Sequence, residues 1–333
     1  MRLAIDASQR VRGTTSPNPP VGAVILDAAG EVVGIGATRP PGGSHAEVAA
    51  LTEAGERARG GTAVVTLEPC NHWGRTGPCA QALIDAGVAA VHYAVDDPNP
   101  AASGGADRLR DAGITVTGGT LAADVAHGPL RAWLHRQRTG RPHVTWKFAA
   151  SLDGRTAAAD GTSQWITGPE SRARVHADRA RLDAIVVGTG TVLADDPWLT
   201  ARLPDGSLAP HQPLRVVVGT RDVPSTAKVL DAAAPTLLLR THDVSEVLAA
   251  LADRDDVLIE GGPTLAGAFL AAGCIDRVQA YVAPVVLGAG SHAVEGAGVG
   301  TITEALRFRR ESVDTVGDDV LLTLVPKDPT RSE

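Results

Sequence analysis

The sequence predicts an α/β protein made of two unlike domains, with sheets covered on both faces. Three observations lead there. Short apolar and β-branched runs alternate with helix-like segments along the chain, the pattern of layered α/β folds. The chain has 333 residues, enough for two separate cores. The alternation restarts at about residue 140, before Pro142, which gives domains 1–140 and 141–333, and no internal repeat or low-complexity tract relates the two halves.

In the first half, residues 21–26 read as a strand and 31–37 as its hairpin partner, followed by a helix over 47–58. Residues 62–67 form a short β-branched run that delivers Glu68-Pro69-Cys70 at its carboxyl end. Residues 79–86 read as a helix, 90–95 as a strand, and the arginine-rich stretch 131–141 as the connection onward. In the second half, 143–149 is strand-like, 170–180 helical and 184–188 a short apolar strand. Residues 214–218, 236–239 and 257–260 read as further buried strands, with an alanine-rich helix over 244–252.

Composition removes several classes of function. Basic and acidic residues balance in 1–140 (12 against 13) and lean acidic in 141–333 (19 against 25), so no basic face for a polynucleotide is evident. No stretch approaches the roughly 20 apolar residues of a membrane span, and Met1 to Asp6 does not resemble an export signal. Three cysteines are too few for a disulfide framework. The expectation is a cytoplasmic protein acting on a small free molecule.

His45-Ala46-Glu47, followed by Pro69-Cys70 and Pro78-Cys79, is the most informative constellation. One imidazole and two thiolates are ligands that tetrahedral Zn²⁺ accepts, and three protein ligands leave a fourth position for water. Such a metal lets water lose its proton near neutral pH, and a carboxylate two residues from the histidine can pass that proton to a leaving amine. This is the chemistry of nucleobase deamination. Each part has a structural alternative. Ser44 to Glu47 also fits a capping box, and Cys70 and Cys79 can be read as two buried thiols, leaving Cys274 as the third. Pro78 suits the first turn of the helix that follows, which places Cys79 where the helix dipole favours a thiolate.

The second half is less explicit. Residues 257–260 run into Gly261-Gly262-Pro263-Thr264 and then an apolar helical run, a strand, glycine turn and helix start that suits an anion but also serves as an ordinary turn. No Gly-x-Gly-x-x-Gly opens a helix after a strand, so a Rossmann dinucleotide site is disfavoured. Lys147 can be read as a strand lysine reaching solvent, and Thr191 to Pro197 as a helix end and turn. The residues alone define an α/β ligand-binding domain of open chemistry.

The string from Thr66 to Cys79, with Pro17-Asn18-Pro19 and His45-Ala46-Glu47 before it, closely resembles the bifunctional deaminase/reductases of riboflavin biosynthesis, including their eight-residue spacer between cysteines. Ser151 to Arg155, Ser163 to Thr167, Thr191 to Pro197 and Glu260 to Thr264 stand in that family's order, so the resemblance covers nearly the whole chain. Gly77, where the family usually has a second proline, and Trp73, often His or Tyr, depart from it. The resemblance implies a cytidine-deaminase-like three-layer α/β/α domain and a dihydrofolate-reductase-like α/β domain. It implies zinc on His45, Cys70 and Cys79 and proton transfer by Glu47, with Asn18, His72 and Arg75 lining the base and phosphate pocket. It implies NADPH on Ala149, Trp165, Thr191, Asp195, Thr220 and the turn Gly262, Pro263, Thr264, Leu265, Ala266, Gly267 and Ala268. Substrate contacts would fall on Ser163, Arg179, Leu199, Arg202 and Glu260, with Lys147 at the reduced ribose end. The implied substrate is a phosphorylated diaminopyrimidine, deaminated and then reduced with NADPH, and the implied assembly is a dimer or tetramer.

Overall fold

A computed structural model of the chain describes residues 1–73 and 77–327. Contacts divide it into two compact units, Met1–Pro142 and His143–Glu333.

The first unit runs α1 (Arg2–Arg10), β1 (Gly22–Leu26), β2 (Val32–Ala37), α2 (Ala46–Ala54), β3 (Thr62–Leu67), α3 (Cys79–Ala86), β4 (Ala90–Val95), α4 (Gly105–Asp111), β5 (Thr115–Thr117), α5 (Ala122–His127) and α6 (Arg131–Thr139). Its described strands form one sheet in the order β2-β1-β3-β4-β5. β1 pairs antiparallel with β2 and β3, and β3, β4 and β5 run parallel. Three layers result. On one face Ala4 of α1 packs with Val24 and Val64. On the other, Ala23, Ile25 and Val65 share a core with Ala50, Ala54 and Leu83 of α2 and α3. This follows from the two-residue period of a strand, which sends Val24 to the opposite face from its neighbours.

Two expectations need correction here. The helix expected over 47–58 stops at Ala54, because Gly55 takes φ 56° and a separate 3₁₀ turn, Gly55–Ala58, follows. Residues 131–141, expected as a connection, are mostly the helix α6. Ala132, Trp133 and Leu134 are buried there, Arg131 and Arg136 are half-buried, and Arg138 is exposed near its end.

The second unit runs β6 (His143–Ser151), α7 (Pro169–Arg179), β7 (Ala184–Gly188), α8 (Thr189–Asp195), β8 (Leu214–Val218), β9 (Thr236–Leu239), α9 (Val244–Ala250), β10 (Asp256–Glu260), α10 (Pro263–Ala271), β11 (Arg277–Ala283), β12 (Phe308–Val316) and β13 (Asp319–Pro326). Its strands form a sheet in the order β12-β13-β11-β6-β10-β7-β8-β9. The six strands from β11 to β9 are parallel, and β13 and β12 add antiparallel. Val144, Trp146, Val186, Val257 and Ile259 meet Val247, Phe269 and Leu270 of α9 and α10 on one face. Ile185, Val187, Val217 and Leu258 meet Val192 and Leu199 on the other. Parallel strands covered on both faces explain why β7, β8 and β10 read as unbroken apolar runs.

Candidate functional site

In the first unit, three element ends meet. α2 begins at Ala46 with His45 as its N-cap in extended backbone, so His45 and Glu47 enter the site together from the first turn. No side-chain cap bond is present at this end, so the Ser44 capping box is not formed and Glu47 is not held in a cap. β3 ends at Leu67 and hands over Glu68-Pro69-Cys70. α3 starts at Cys79, whose backbone N–H donates to Cys70 Sγ at 3.4 Å.

The His45 Nδ1 atom lies 3.2 Å from Cys79 Sγ and 3.5 Å from Cys70 Sγ. All three donor atoms fall within 4.8 Å of one another. Donors sharing one zinc, at about 2.3 Å for sulfur and 2.0 Å for nitrogen, stand roughly 3.5 Å apart in a tetrahedron. The three residues therefore fit the ion. His72 is not part of the group, so the donors described leave a coordination position open, as a catalytic site requires.

The electrostatics agree with a metal site. Hydrogen bonding from Cys79, aided by His45, draws the Cys70 thiol down to about 4 against the effect of burial. Cys79 moves up, because Cys70 takes up the hydrogen bond and its own site is buried. Glu47 is only 4 % exposed. Burial, with Cys70 adding to it, pushes its carboxyl up to about 7, where it can both take and give a proton near neutral pH.

A cavity of about 300 Å³ opens on this centre, lined by Asn18, His45, Glu47, Cys70 and His72. Arg75 lies outside the described residues. Trp73, beside Gly77, is 78 % exposed. Residues given no role from the sequence also line the cavity: Glu68, Asp97, Asn99, Trp133, Arg136 and Gln137. Glu68 braces the walls. One carboxylate oxygen accepts from the N–H groups of Gly104 and Ala106, the other from that of Asp97. Its place next to Pro69-Cys70 was the available signal.

The ligand turn rests on Gly105. A Cβ there would stand 1.7 Å from the Pro69 carbonyl oxygen. Gly105→Ala is therefore expected to displace Pro69-Cys70 and weaken zinc binding by about tenfold or more, read by competition with a chelator. Unchanged affinity would show that the turn yields without moving Cys70.

In the second unit a cleft of about 510 Å³ lies at the carboxyl ends of β6, β7 and β10. It is lined by Lys147, Ala149, Ser163, Trp165, Arg179, Thr191, Asp195, Leu199, Arg202, Glu260, Gly262 and Pro263. Its floor is an ion pair. Arg179 Nε donates to Glu260 Oε1 at 2.8 Å and Nη2 to Oε2 at 2.6 Å, a bidentate fork, while Nη1 donates to the Thr200 carbonyl at 3.1 Å. Burial alone would raise Glu260, but Arg179 and Lys147 outweigh it and hold the carboxyl at about 2. Ser163 Oγ donates to Asp195 Oδ1 at 3.1 Å, which ties the 163–165 segment to the end of α8. Lys147 is half-buried. It lines the cleft, and burial draws its pKa down.

The glycine turn is formed as expected, with Gly261 at φ 71° and Gly262 at 77°. Past Pro263 the chain leaves the cleft. Thr264 is exposed, Leu265 packs on the core, Ala266 and Gly267 are buried, and Ala268 is half-buried. Thr220 is exposed as well, with its Oγ1 3.2 Å from His242 Nε2. Sequence reasoning missed His176, Trp198, Lys228 and Tyr281, all of which line the cleft. Trp198 carries Lys228 Nζ 4.4 Å and Arg202 Cζ 5.5 Å from its ring centre. Its only signal was its position after Asp195-Asp196-Pro197.

Comparison with known proteins places both sites in context. Residues 1–95 match the family model of the cytidine and deoxycytidylate deaminase zinc-binding region, and residues 142–322 match that of the RibD C-terminal domain. The chain is 62 % identical over 327 residues to the riboflavin biosynthesis protein RibD of Mycobacterium tuberculosis H37Rv, covering 98 % of this chain and 96 % of the relative. It is 40 % identical over 361 residues to RibD of Escherichia coli K12, covering 98 % of each. Among solved structures, Acinetobacter baumannii RibD superposes with TM-score 0.87 at 39 % identity over 98 % of each chain. A diaminohydroxyphosphoribosylaminopyrimidine deaminase/5-amino-6-(5-phosphoribosylamino)uracil reductase from Thermotoga maritima superposes with TM-score 0.89 at 32 % identity, over 98 % of this chain and 97 % of that one.

Proposed function

Since this chain belongs to the RibD family, a bifunctional enzyme of riboflavin biosynthesis with a zinc-binding deaminase domain and a reductase domain, we propose which substrate it takes and which residues act on it. The substrate is 2,5-diamino-6-(5-phosphoribosylamino)pyrimidin-4(3H)-one. The first cavity exchanges its C2 amino group for oxygen, and the second cleft reduces the ribosyl group to ribityl phosphate. The observation that carries this reading is the convergence of His45, Cys70 and Cys79 beside buried Glu47 in a cavity large enough for a base.

Zinc held by His45, Cys70 and Cys79 supplies the Lewis acidity that makes water nucleophilic near neutral pH. Glu47 takes the proton of the attacking water on its carboxylate and delivers it to the leaving amine, which departs as ammonia. Asn18 and His72 line the wall that orients the pyrimidine, and Arg75 is assigned with them to the base and phosphate pocket. His72 Nδ1 is buried with no hydrogen-bond partner among the described residues, which leaves it available to a ligand.

NADPH supplies the hydride for the second reaction, and the protein's task is alignment. Ala149, Trp165, Thr191, Asp195 and the Gly262-Pro263 turn form its side of the cleft, with Thr220 and residues 264–268 assigned by resemblance. Ser163, Arg179, Leu199, Arg202 and Glu260 face the substrate, and arginines suit a phosphate through the bidentate fork. Ribosyl to ribityl requires one hydride at the anomeric carbon and one proton at the ring oxygen. Lys147 is assigned to that end as the proton donor.

Ammonia release without NADPH, followed by NADPH oxidation only once the deaminated product has formed, tests the order of the two steps. NADPH oxidation on the undeaminated compound at the same rate would overturn it. Among the described residues no helix is long and apolar enough to cross a membrane. The reading places the enzyme in the cytoplasm as a dimer or tetramer, and a monomer mass by light scattering would contradict the assembly.

A further inference from the structure

We infer that Tyr281 is a positioning residue of the reductase, its ring seating the Lys147 ammonium so that the ammonium's donors are left for substrate. This rests on the reading of Lys147 as the group at the reduced ribose end.

The register explains how the two meet. β6 and β11 run parallel, with Gln279 opposite Lys147 and Tyr281 opposite Ala149. Trp146, Phe148, Val278 and Ala280 belong to the apolar core on one face of the sheet. Alternation along the strands therefore sends Lys147, Ala149 and Tyr281 to the other face, and all three line the cleft.

Tyr281 is buried at the wall of the cleft. The side chain is 1 % exposed, and its hydroxyl finds no hydrogen-bond partner among the described residues. The ring itself has an evident partner. Lys147 Nζ sits 5.7 Å from its centroid, within cation–π reach.

The chemistry of that contact suits the task. The Glu260 carboxylate is engaged by both nitrogens of the Arg179 fork. No hydrogen bond links Lys147 to any described residue. Glu260 and Asp178 act on the ammonium through space only and take none of its N–H donors. A ring face attracts the charge while accepting no strong hydrogen bond, so the donors stay directed at the cleft.

The test is a double-mutant cycle on NADPH-dependent reduction in the full-length zinc enzyme, with ammonia release and melting temperature as controls. Tyr281→Leu is expected to lower kcat about tenfold with KM for NADPH within about twofold. Tyr281→Phe, which keeps the ring, should stay within about threefold of wild type. In a Lys147→Met background, Tyr281→Leu should have no further effect. A drop by the same factor in both backgrounds would overturn the inference, because Tyr281 would then act independently of Lys147. A Phe variant as impaired as the Leu variant would also overturn it. Full activity of Lys147→Met would remove the reading of Lys147 and the inference together, whereas an impaired Lys147→Met beside an unaffected Tyr281→Leu removes the inference alone. If Tyr281→Leu does not fold, fluorinated phenylalanines at 281 weaken the ring face at nearly constant shape. A kcat that falls with fluorination supports the seat, and a flat series overturns it.

Discussion

Glu47→Gln is expected to lower ammonia release by about 10² to 10⁴, the contribution of a positioned general acid/base, while zinc content stays that of the wild type. Glutamine keeps the size and hydrogen-bonding reach of the side chain, so the cavity and the three ligands are undisturbed. What it loses is the proton. Burial holds the Glu47 carboxyl at about 7, poised between taking a proton from water and giving one to the amine, and an amide does neither. The reductase is an internal control. Presented with already deaminated substrate, the variant should oxidise NADPH normally. Ammonia release above about a tenth of the wild-type rate, with zinc bound, would remove Glu47 from its role.

Arg179→Met carries the largest effect expected in the second unit. The variant leaves Glu260 buried, with Lys147 still acting on it from a distance, and breaking such a pair from one side costs about 3–5 kcal/mol. Reduction should fall at least about a hundredfold, and urea unfolding should show the loss of stability. The pH dependence has a defined sign. Glu260 is depressed from 4.5 to about 2, so the pair's contribution is complete above the ordinary carboxyl range and is lost progressively as pH falls from there through about 2. Arg179→Met combined with Glu260→Gln should recover much of the stability, since no charge is stranded, but not the reduction. Recovery of both would make the pair purely structural.

Much of this was legible because its signals are local. His45, Glu47, Cys70 and Cys79 sit at helix starts and a strand end that periodicity and proline placement identify, and their chemistry is specific in combination. β7, β8 and β10 are covered on both faces and so are apolar throughout. The elements that escaped lack such marks. β12 is mostly exposed along its length, with neither an apolar run nor a clean alternation, and β5 spans Thr115–Thr117 only. α6 looked like a linker because its arginines mask a short buried face. Tyr281 and Lys228 are distant in sequence from every motif, and only the pairing of β11 with β6 and the fold of the 196–228 segment bring them to the cleft. Thr264 to Ala268 came as a block with the glycine turn. A helix turns about 100° per residue, so consecutive positions cannot all face one cleft.

Mass spectrometry of the diaminopyrimidinone ribosyl phosphate incubated with the zinc-loaded protein, first without and then with NADPH, tests the two-step account most directly. One amino group is expected to exchange for oxygen in the first stage, with a gain of two hydrogens only after NADPH is added. No mass change at either stage, or reduction before deamination, would contradict it.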